Sequence, residues 1–433
     1  MNRRLLLVIA FVFVDLLGYS LFLPLLPYYA DTLGATPTLI GLLIASNALA
    51  QLLASPLVGR ASDRFGRRPL LILSIAGTLT SFVLLALVEP LGNVLAGLFP
   101  ALTAGSAALA MLFFSRMLDG LAGGNASLAR AYIADVTDEA NRAKGMGMIG
   151  AAFGLGFVIG PAMGGLLSNW GAAEALVAAI GLSRYAVPAL AAVLLSTLNL
   201  VGVVLWLPES LSPERRAELA ASPATAITAR AMLEGLRRPR YGPLLTTRFF
   251  YLLAFSLFTT NFSLYTQYRL GLDDRVTSYI LAYVGVLVVL VQGFAIGRLT
   301  DRFRETRLIF GGVMLLGLAL LAWAVVPNVW LLLVVLAPLA LSGGVLNTVT
   351  NSAISKAVHR EEVGGALGLS EAFNSLGRVI APAIGGLAIE QLGASSLGLL
   401  GAAIMVGVTF FVRRTLANQP EAPLPERGEA LST

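Results

Sequence analysis

The chain has no cysteine, one histidine (His359) and only two lysines, Lys144 and Lys356. Without cysteine there is no disulfide framework, zinc–thiolate site or thiol chemistry. One histidine excludes a His-rich metal site; no metal and no cofactor is expected. Neither lysine follows a glycine, so no G-x-x-x-x-G-K-[ST] loop exists and ATP hydrolysis by that route is excluded. H-E-x-x-H and G-x-S-G, the usual signatures of intramembrane proteases, are missing too, and the chain does not read as an enzyme. Charge is scarce as well. Only 12% of the 433 residues are charged, against roughly 25% in a soluble protein. With 57% hydrophobic residues and a mean hydropathy of +0.81, most of the chain must face lipid or lie between lipid-facing helices. The net charge of +6 is scattered through short loops, a pattern of membrane orientation rather than of nucleic-acid binding.

A helix needs about 20 apolar residues to cross a bilayer. Runs of that kind cover 5–30, 38–58, 69–88, 106–129, 146–168, 188–207, 244–268, 277–297, 308–326, 330–355, 364–389 and 395–412, which predicts twelve spans in an all-α membrane protein. The first run follows Arg3 and Arg4 like a signal peptide, but it is too long for one, lacks a small-residue cleavage site and contains Asp15, so it reads as a retained helix. With the N-terminus inside, the outer loops hold three basic residues, Arg184, Arg269 and Arg275. Two more, Arg116 and Arg378, fall within spans, and all the others collect at the inner ends. This asymmetry places both termini in the cytoplasm, in the inner membrane if the source is bacterial. The sequence thus divides into a six-helix bundle (1–207), a polar linker (208–243) with a short surface helix around Glu214–Ala221, a second six-helix bundle (244–412) and a Pro/Glu-rich tail (413–433) expected to be disordered.

The halves repeat each other. Val158-Ile-Gly-Pro-Ala-Met-Gly-Gly-Leu166 matches Val379-Ile-Ala-Pro-Ala-Ile-Gly-Gly-Leu387 at an offset of 221, and Gly59-Arg-Ala-Ser-Asp63-Arg-Phe matches Gly297-Arg-Leu-Thr-Asp301-Arg-Phe at 238. Parallel halves suit a transporter with a central site between them. The fall in offset means that the first half carries about 17 extra residues, best placed at Pro90–Ser106. A similar comparison puts about 16 more near Ala172–Val187. Both extras face outward and form either a lid or long loops without a role.

Four motifs carry a family resemblance. Gly59-x-x-x-Asp63-Arg64-x-Gly66-Arg67-Arg68 resembles the second-to-third-loop signature of the major facilitator superfamily, and Arg116-x-x-Asp119-Gly120-x-x-Gly123-Gly124 resembles its fourth-helix motif. The run Gly150-x-x-x-Gly154-x-Gly156-x-x-x-Gly160-Pro161-x-x-Gly164-Gly165 is similar to the fifth-helix antiporter motif. Asp15-x-x-Gly18-x-x-x-x-x-Pro24-x-x-Pro27 resembles the first helix of 12-span drug/proton antiporters, the tetracycline-efflux group in particular. Asp119 stands where a Gln is common, and Arg304 replaces a Gly of the loop motif in the second half. The resemblance implies the major facilitator fold, two pseudo-symmetric six-helix bundles, and proton-coupled export of small amphipathic compounds by alternating access.

Elementary chemistry gives each site a reading of its own. An ionised carboxylate in hydrocarbon costs about 2.5–3.5 kcal/mol on insertion scales, so Asp15 must face a cavity, find a partner or take up a proton; a packing hydrogen bond near Gly18 is the plainer role. Arg116 and Asp119, one turn apart, are placed to pair, either permanently or as a partner switch during proton uptake. Glu371 and Arg378 share a face of the eleventh helix and either brace it or touch substrate. Gly59, Asp63, Arg64, Gly66, Arg67 and Arg68 read as a cytoplasmic gate, with Asp301 as its repeat. Asp63 is expected on the N-terminus of the eleventh helix near Gly364, and Arg67 against Asp135. Gly156, Gly160, Pro161, Gly164 and Gly165, with Pro382, Gly385 and Gly386, serve close packing or a hinge. Asn47, Gln51, Asn125, Asn261, Tyr265, Gln292, Asn347 and Asn374 are polar groups in apolar helices and line a candidate substrate cavity. The partners expected are a small-molecule substrate, protons and lipid, with no nucleic acid, for a monomer. Two alternatives stand beside export. One is a facilitator or symporter of a sugar, organic anion or other metabolite; the other is a lipid-handling or scaffold membrane protein without proton coupling.

Overall fold

The computed structural model describes residues 3–137, 139–179, 181–221, 229–359 and 362–416. The chain divides into two compact units, Met1–Thr225 with Gly271–Gly285, and Ala226–Leu270 with Val286–Thr433. Helices α1 (Arg3–Phe22), α2 (Leu26–Thr32), α3 (Pro37–Phe65), α4 (Arg67–Ala86), α5 (Val88–Leu98), α6 (Ala104–Ala122), α7 (Asn125–Val136), α8 (Glu139–Leu167), α9 (Gly171–Ala179), α10 (Ala186–Trp206) and α11 (Pro213–Ala221) belong to the first unit. The second contains α12 (Ala229–Arg237), α13 (Tyr241–Thr260) and α14 (Phe262–Leu270). Helix α15 (Asp274–Leu290) begins in the first unit and ends in the second. It runs on through a π-helical turn (Val291–Ala295) into α16 (Ile296–Arg302), and α17 (Glu305–Ala324), α18 (Val329–Lys356), α19 (Val363–Leu392) and α20 (Ser395–Thr415) follow.

Eleven helical segments among the described residues are long and apolar enough to cross a membrane. The chain is therefore an integral multi-pass membrane protein. The remaining expected span, 244–268, is divided into α13 and α14 at Asn261, where Thr260, Asn261 and Ser263 interrupt the apolar run. Helix ends follow local chemistry. Pro24 lacks the N–H that would continue α1 into α2. Pro37 opens α3 behind the N-cap Thr36. Thr103 and Ser106 close a reciprocal capping box on α6. Gly66 ends α3 with φ of 104°, a conformation that favours glycine.

The two segments expected as outer insertions are partly helical, as α5 and α9. Helix α5 lies against α6 so closely that a Cβ on Gly92 would strike the Ala108 backbone. The surface helix expected in the linker is α11. The last span runs on through Arg413 and Arg414 to Thr415, beyond the expected limit at 412, because the apolar face of α20 continues to Val412 and Leu416; residues 417–433 of the expected tail lie outside the described residues. Residues 271–285 also depart from the even division of the sequence, since they pack with the first unit. Asp274, 1% exposed, accepts from Ser168 Oγ at 3.0 Å and pairs with Arg184 at 3.3 Å. Tyr28 Oη lies 2.6 Å from Thr277 Oγ1.

The core of the first unit is aliphatic, with Val8, Val12, Leu16, Ile75, Ile133 and Val203 packed among α1, α4, α7 and α10. The second unit has an aromatic centre, in which Trp323 meets Phe258 edge-on at 5.1 Å and Tyr265 at 4.2 Å. Leu53, Leu57, Leu73, Leu194 and Leu198 remain exposed, as befits surfaces solvated by hydrocarbon.

Candidate functional site

Helices α1, α3, α6 and α7 of the first unit bring together Asp15, Asn47, Gln51, Arg116, Asp119 and Asn125. Helices α3 and α6 approach so closely at Gly120 that a Cβ there would meet the Asn47 carbonyl. Next to that crossing Asn47 Nδ2 donates to the Arg116 carbonyl and to Asp119 Oδ2, both at 3.0 Å. Arg116, 4% exposed, reaches Asp119 at 3.4 Å, donates to Ser81 Oγ at 2.9 Å and lies over the Phe82 ring. The Gly123–Gly124 pair interrupts the helix, and Gln51 Nε2 takes up the Gly123 carbonyl at 2.8 Å. That break lets α7 start at Asn125, whose Nδ2 donates to Asp15 Oδ1 at 2.8 Å. Asp119 lies in the last turn of α6, just before that break and six residues before Asn125. Asp15 itself has no ion pair among the described residues; its one side-chain partner is a neutral amide. Asp15, Arg116 and Asp119 thus form one cluster with Asn47, Gln51 and Asn125, and a carboxylate with a cation stands beside one without.

Helix α1 packs closely on α8 on either side of Leu16, next to Asp15. Ser20 Oγ donates to the Gly156 carbonyl at 2.8 Å. A Cβ on Gly160 would strike Ser20, and one on Gly164 the Leu21 carbonyl. One on Gly165 would meet Ser278. Pro161 and Pro382 lie inside unbroken helices. In the second unit Gly385 gives the same close approach to Asn261, and Gly386 is buried beside it.

At the Arg67 end, the loop motif closes on its own unit. Arg67 pairs with Asp63 at 2.6 Å and with Asp135 at 3.1 Å, the second pairing being the one expected from the sequence. Asp63, expected on a helix N-terminus, has its ion pair with Arg67. The carboxylate on a helix N-terminus belongs to Glu209. Its oxygens accept from the backbone N–H of Arg67 (2.9 Å) and Arg68 (3.2 Å) at the start of α4, and a Cβ on Gly66 would collide with it. Arg68 donates to the Val204 carbonyl, Arg64 lies over the Phe65 ring, and Gly59 has open space around it. Asp301 is exposed.

The candidate cavity residues of the second unit are not one group. Asn261 is buried and donates to the Leu257 and Ala381 carbonyls, and Tyr265 donates to the Trp323 carbonyl; both serve helix packing. Asn347 accepts from Arg248 at 3.4 Å, Asn374 donates to Glu371 at 3.2 Å, Gln292 is exposed within the π turn, and Arg378 is half-buried. Arg248, counted from the sequence with the inner-end charges, lies 3% exposed inside the unit. It donates to Thr350 Oγ1 at 2.9 Å and to Tyr251 Oη at 3.3 Å, and pairs with no carboxylate among the described residues. Its signal was an arginine set in an otherwise uncharged run, Thr247-Arg248-Phe249-Phe250.

Sequence comparison matches the Major Facilitator Superfamily over residues 8–325 and, in a second match, 244–432. The chain belongs to this superfamily. It is a transporter and not an enzyme. Among its relatives, the class C tetracycline resistance protein of Escherichia coli is 30% identical over 392 residues, spanning 88% of this chain and 89% of that protein. Multidrug resistance protein 2 of Bacillus subtilis (strain 168) is 27% identical, over 88% and 87% of the two chains. In fold the chain resembles the crystal structure of the human organic anion transporter MFSD10 (TETRAN), with a TM-score of 0.64 and 22% identity over 95% of this chain and all of that one. It also resembles that of a D-xylose-proton symporter, with a TM-score of 0.71 and 18% identity over 97% and 99%.

Proposed function

We propose that this superfamily member exports small amphipathic compounds in exchange for protons, with Asp15 as the proton-carrying group. The observation that supports this most is that Asp15 meets, among the described residues, only the neutral Asn125 amide, so none of them cancels its charge as a fixed cation. A carboxylate held by a guanidinium stays ionised; one held by an amide in a poorly hydrated bundle gains and loses a proton as its surroundings change. Asp119 and Arg116 then act as the electrostatic neighbours, since arginine keeps its proton. The likeness to tetracycline and multidrug resistance proteins supports the cargo class. In this reading the two bundles alternate access to a central site, the Asp63–Arg67–Asp135 cluster is the cytoplasmic gate, both termini are cytoplasmic in a cell membrane, and the protein works as a monomer. Proteoliposomes with an imposed pH gradient and a panel of drugs, sugars and organic anions test it. Asp15→Asn is expected to abolish pH-driven export while the protein remains folded; retained pH-driven transport overturns the reading. A second reading, transport of an organic anion, is favoured by one observation, the buried Arg248, which pairs with no carboxylate among the described residues. It predicts uptake of anions that Arg248→Gln abolishes and Asp15→Asn spares.

A further inference from the structure

Two polar spots in the membrane-spanning helices of the second unit have opposite chemistry. At the first, the buried Arg248 on α13 points its guanidinium at α18. Nη1 reaches Thr350 Oγ1 at 2.9 Å and the Asn347 carbonyl at 3.4 Å, and Nη2 reaches Asn347 Oδ1 at 3.4 Å; Nε is buried with no hydrogen-bond partner. A guanidinium only donates, so the side-chain atom that Asn347 turns to it must be the oxygen. Asn351 Nδ2 donates to the same oxygen at 3.5 Å. The Nδ2 of Asn347 is thereby left to the exposed side of α18, as a donor with a buried positive charge behind it. On α19 the logic is reversed. The exposed Glu371 accepts from Asn374 Nδ2 at 3.2 Å. An ionised carboxylate only accepts, so Asn374 turns its nitrogen to Glu371 and keeps its oxygen outward. Glu371 pairs with no cation among the described residues.

Contacts along α13 set both spots at one level. Tyr241 donates to the Ala366 carbonyl at 3.0 Å, Phe249 packs on Phe373 at 5.3 Å, and a Cβ on Gly377 would lie 3.8 Å from Leu253. Helices α13 and α19 therefore run side by side in the same direction, and Arg248 stands beside the turn of α19 that holds Glu371 and Asn374. Arg248 and Glu371 are each about two turns from the start of their helix, near the ends that Arg238 and Glu362 tie together at 3.1 Å. A carboxylate turned to hydrocarbon is costly, so the exposed face with Glu371 is the one open to water. We propose that the two spots take the two ends of an amphoteric cargo, a small apolar compound with an anionic group at one end and an ammonium at the other. Asn347 Nδ2 receives the anion and Glu371 the ammonium, and the half-buried Phe249 ring lies beside both. Arg248 acts through Asn347 as a positioning residue, since it holds the amide nitrogen outward and supplies the field behind it. In the orientation proposed above, the site lies in the cytoplasmic third of the bundle, where an exporter takes up its cargo.

The inference rests on the export reading and narrows its cargo. The test titrates the full chain in lipid nanodiscs, against empty nanodiscs, with probes that share one fluorophore. Dansyl-lysine carries an ammonium and a carboxylate, dansylcadaverine only the ammonium, and dansyl-aminohexanoate only the carboxylate. Fluorescence anisotropy gives each Kd. Dansyl-lysine should bind about 5-fold more tightly than either of the others, or better. Glu371→Gln should weaken the two probes with an ammonium about 5- to 10-fold and leave dansyl-aminohexanoate unchanged. Arg248→Gln should weaken the two probes with a carboxylate by a similar factor and leave dansylcadaverine unchanged, a charge-selective loss that a merely structural role would not produce. Arg248→Lys should recover part of it. Asn347→Leu keeps the bond from Arg248 to Thr350 and should reproduce the Arg248→Gln pattern, so a misfolded Arg248→Gln leaves the test intact. Equal loss of all the probes in these variants, tightest binding by a probe of single charge, or no binding by any of them overturns the proposal. If the charge pattern appears as expected but a pH gradient across proteoliposomes does not drive dansyl-lysine, the export reading fails and the amphoteric site survives.

Discussion

The carboxylate of Glu209 should hold the start of α4 in place, and its removal is a quantitative test of how this end of the first unit is built. The first N–H groups of a helix have no partner within it, and here two of them, those of Arg67 and Arg68, donate to Glu209. The same carboxylate accepts from the backbone of Ser210 and Leu211 at 2.9 and 3.2 Å, so it ties the linker to the helix that begins 142 residues earlier. Hydrogen bonds to a charged group contribute about 1.5–3 kcal/mol each when buried, and an N-terminal cap about 0.5–2 kcal/mol. Glu209 is half-buried, and water replaces part of what it provides, so a loss of about 1–3 kcal/mol is expected for Glu209→Ala. Hydrogen exchange reads this locally. The amides of Arg67, Arg68, Ser210 and Leu211 should exchange roughly 5- to 150-fold faster, the factor that corresponds to that energy. Glu209→Gln, which keeps an acceptor oxygen and drops the charge, should fall between. Asp63→Asn should leave these amides unchanged, because Asp63 bonds the Arg67 side chain. Equal effects of Glu209→Ala and Asp63→Asn on the four amides, or no effect of Glu209→Ala, would refute the assignment.

Two further outcomes follow from packing and from charge. Gly164→Ala forces a methyl into the Leu21 carbonyl and should cost about 1–3 kcal/mol or more, read as a lower temperature at which the solubilised protein loses monodispersity; Gly150→Ala on the same helix meets open space and should be neutral or slightly stabilising. Burial pushes the Glu89 carboxyl above its ordinary range. The fold then binds the proton more tightly than the unfolded chain, so stability should decline as pH rises from about 4.3, the unfolded value, through the higher folded one. Glu89→Gln should flatten that decline and be more stable than the parent at neutral pH, as melting curves at about pH 4 and pH 7 would show.

What the sequence made legible was what repeats or recurs along one helix. The apolar runs placed the helices, and the glycine pattern shared by 158–166 and 379–387 pointed to the close approaches now seen at Gly164 and Gly385. Arg116 and Asp119, three residues apart, were readable as a pair. The residues missed depend on partners far along the chain. Glu209 meets Arg67 across 142 positions, and a glutamate at the edge of a polar linker carries no periodic signal. Arg248 was counted as a boundary charge because span ends are uncertain by about a turn; α18 supplies the acceptors that let it sit inside.

The π turn at Val291–Ala295 gives the two copies of Gly-Arg-x-x-Asp-Arg-Phe different bearings. A five-residue turn adds one residue to the winding, and each residue in an α-helix advances about 100° around the axis. Everything from Ile296 onward is therefore swung by about that angle from the course that an uninterrupted rod such as α3 would keep. The motif spelled twice in the sequence is aimed twice as well: Asp63 toward a guanidinium of its own bundle, Asp301 out to solvent. The partner changes too: at the offset of 238 the place of Arg67 falls to Glu305, so the second copy lacks the guanidinium that Asp63 meets, and the duplicated phrase serves a different end.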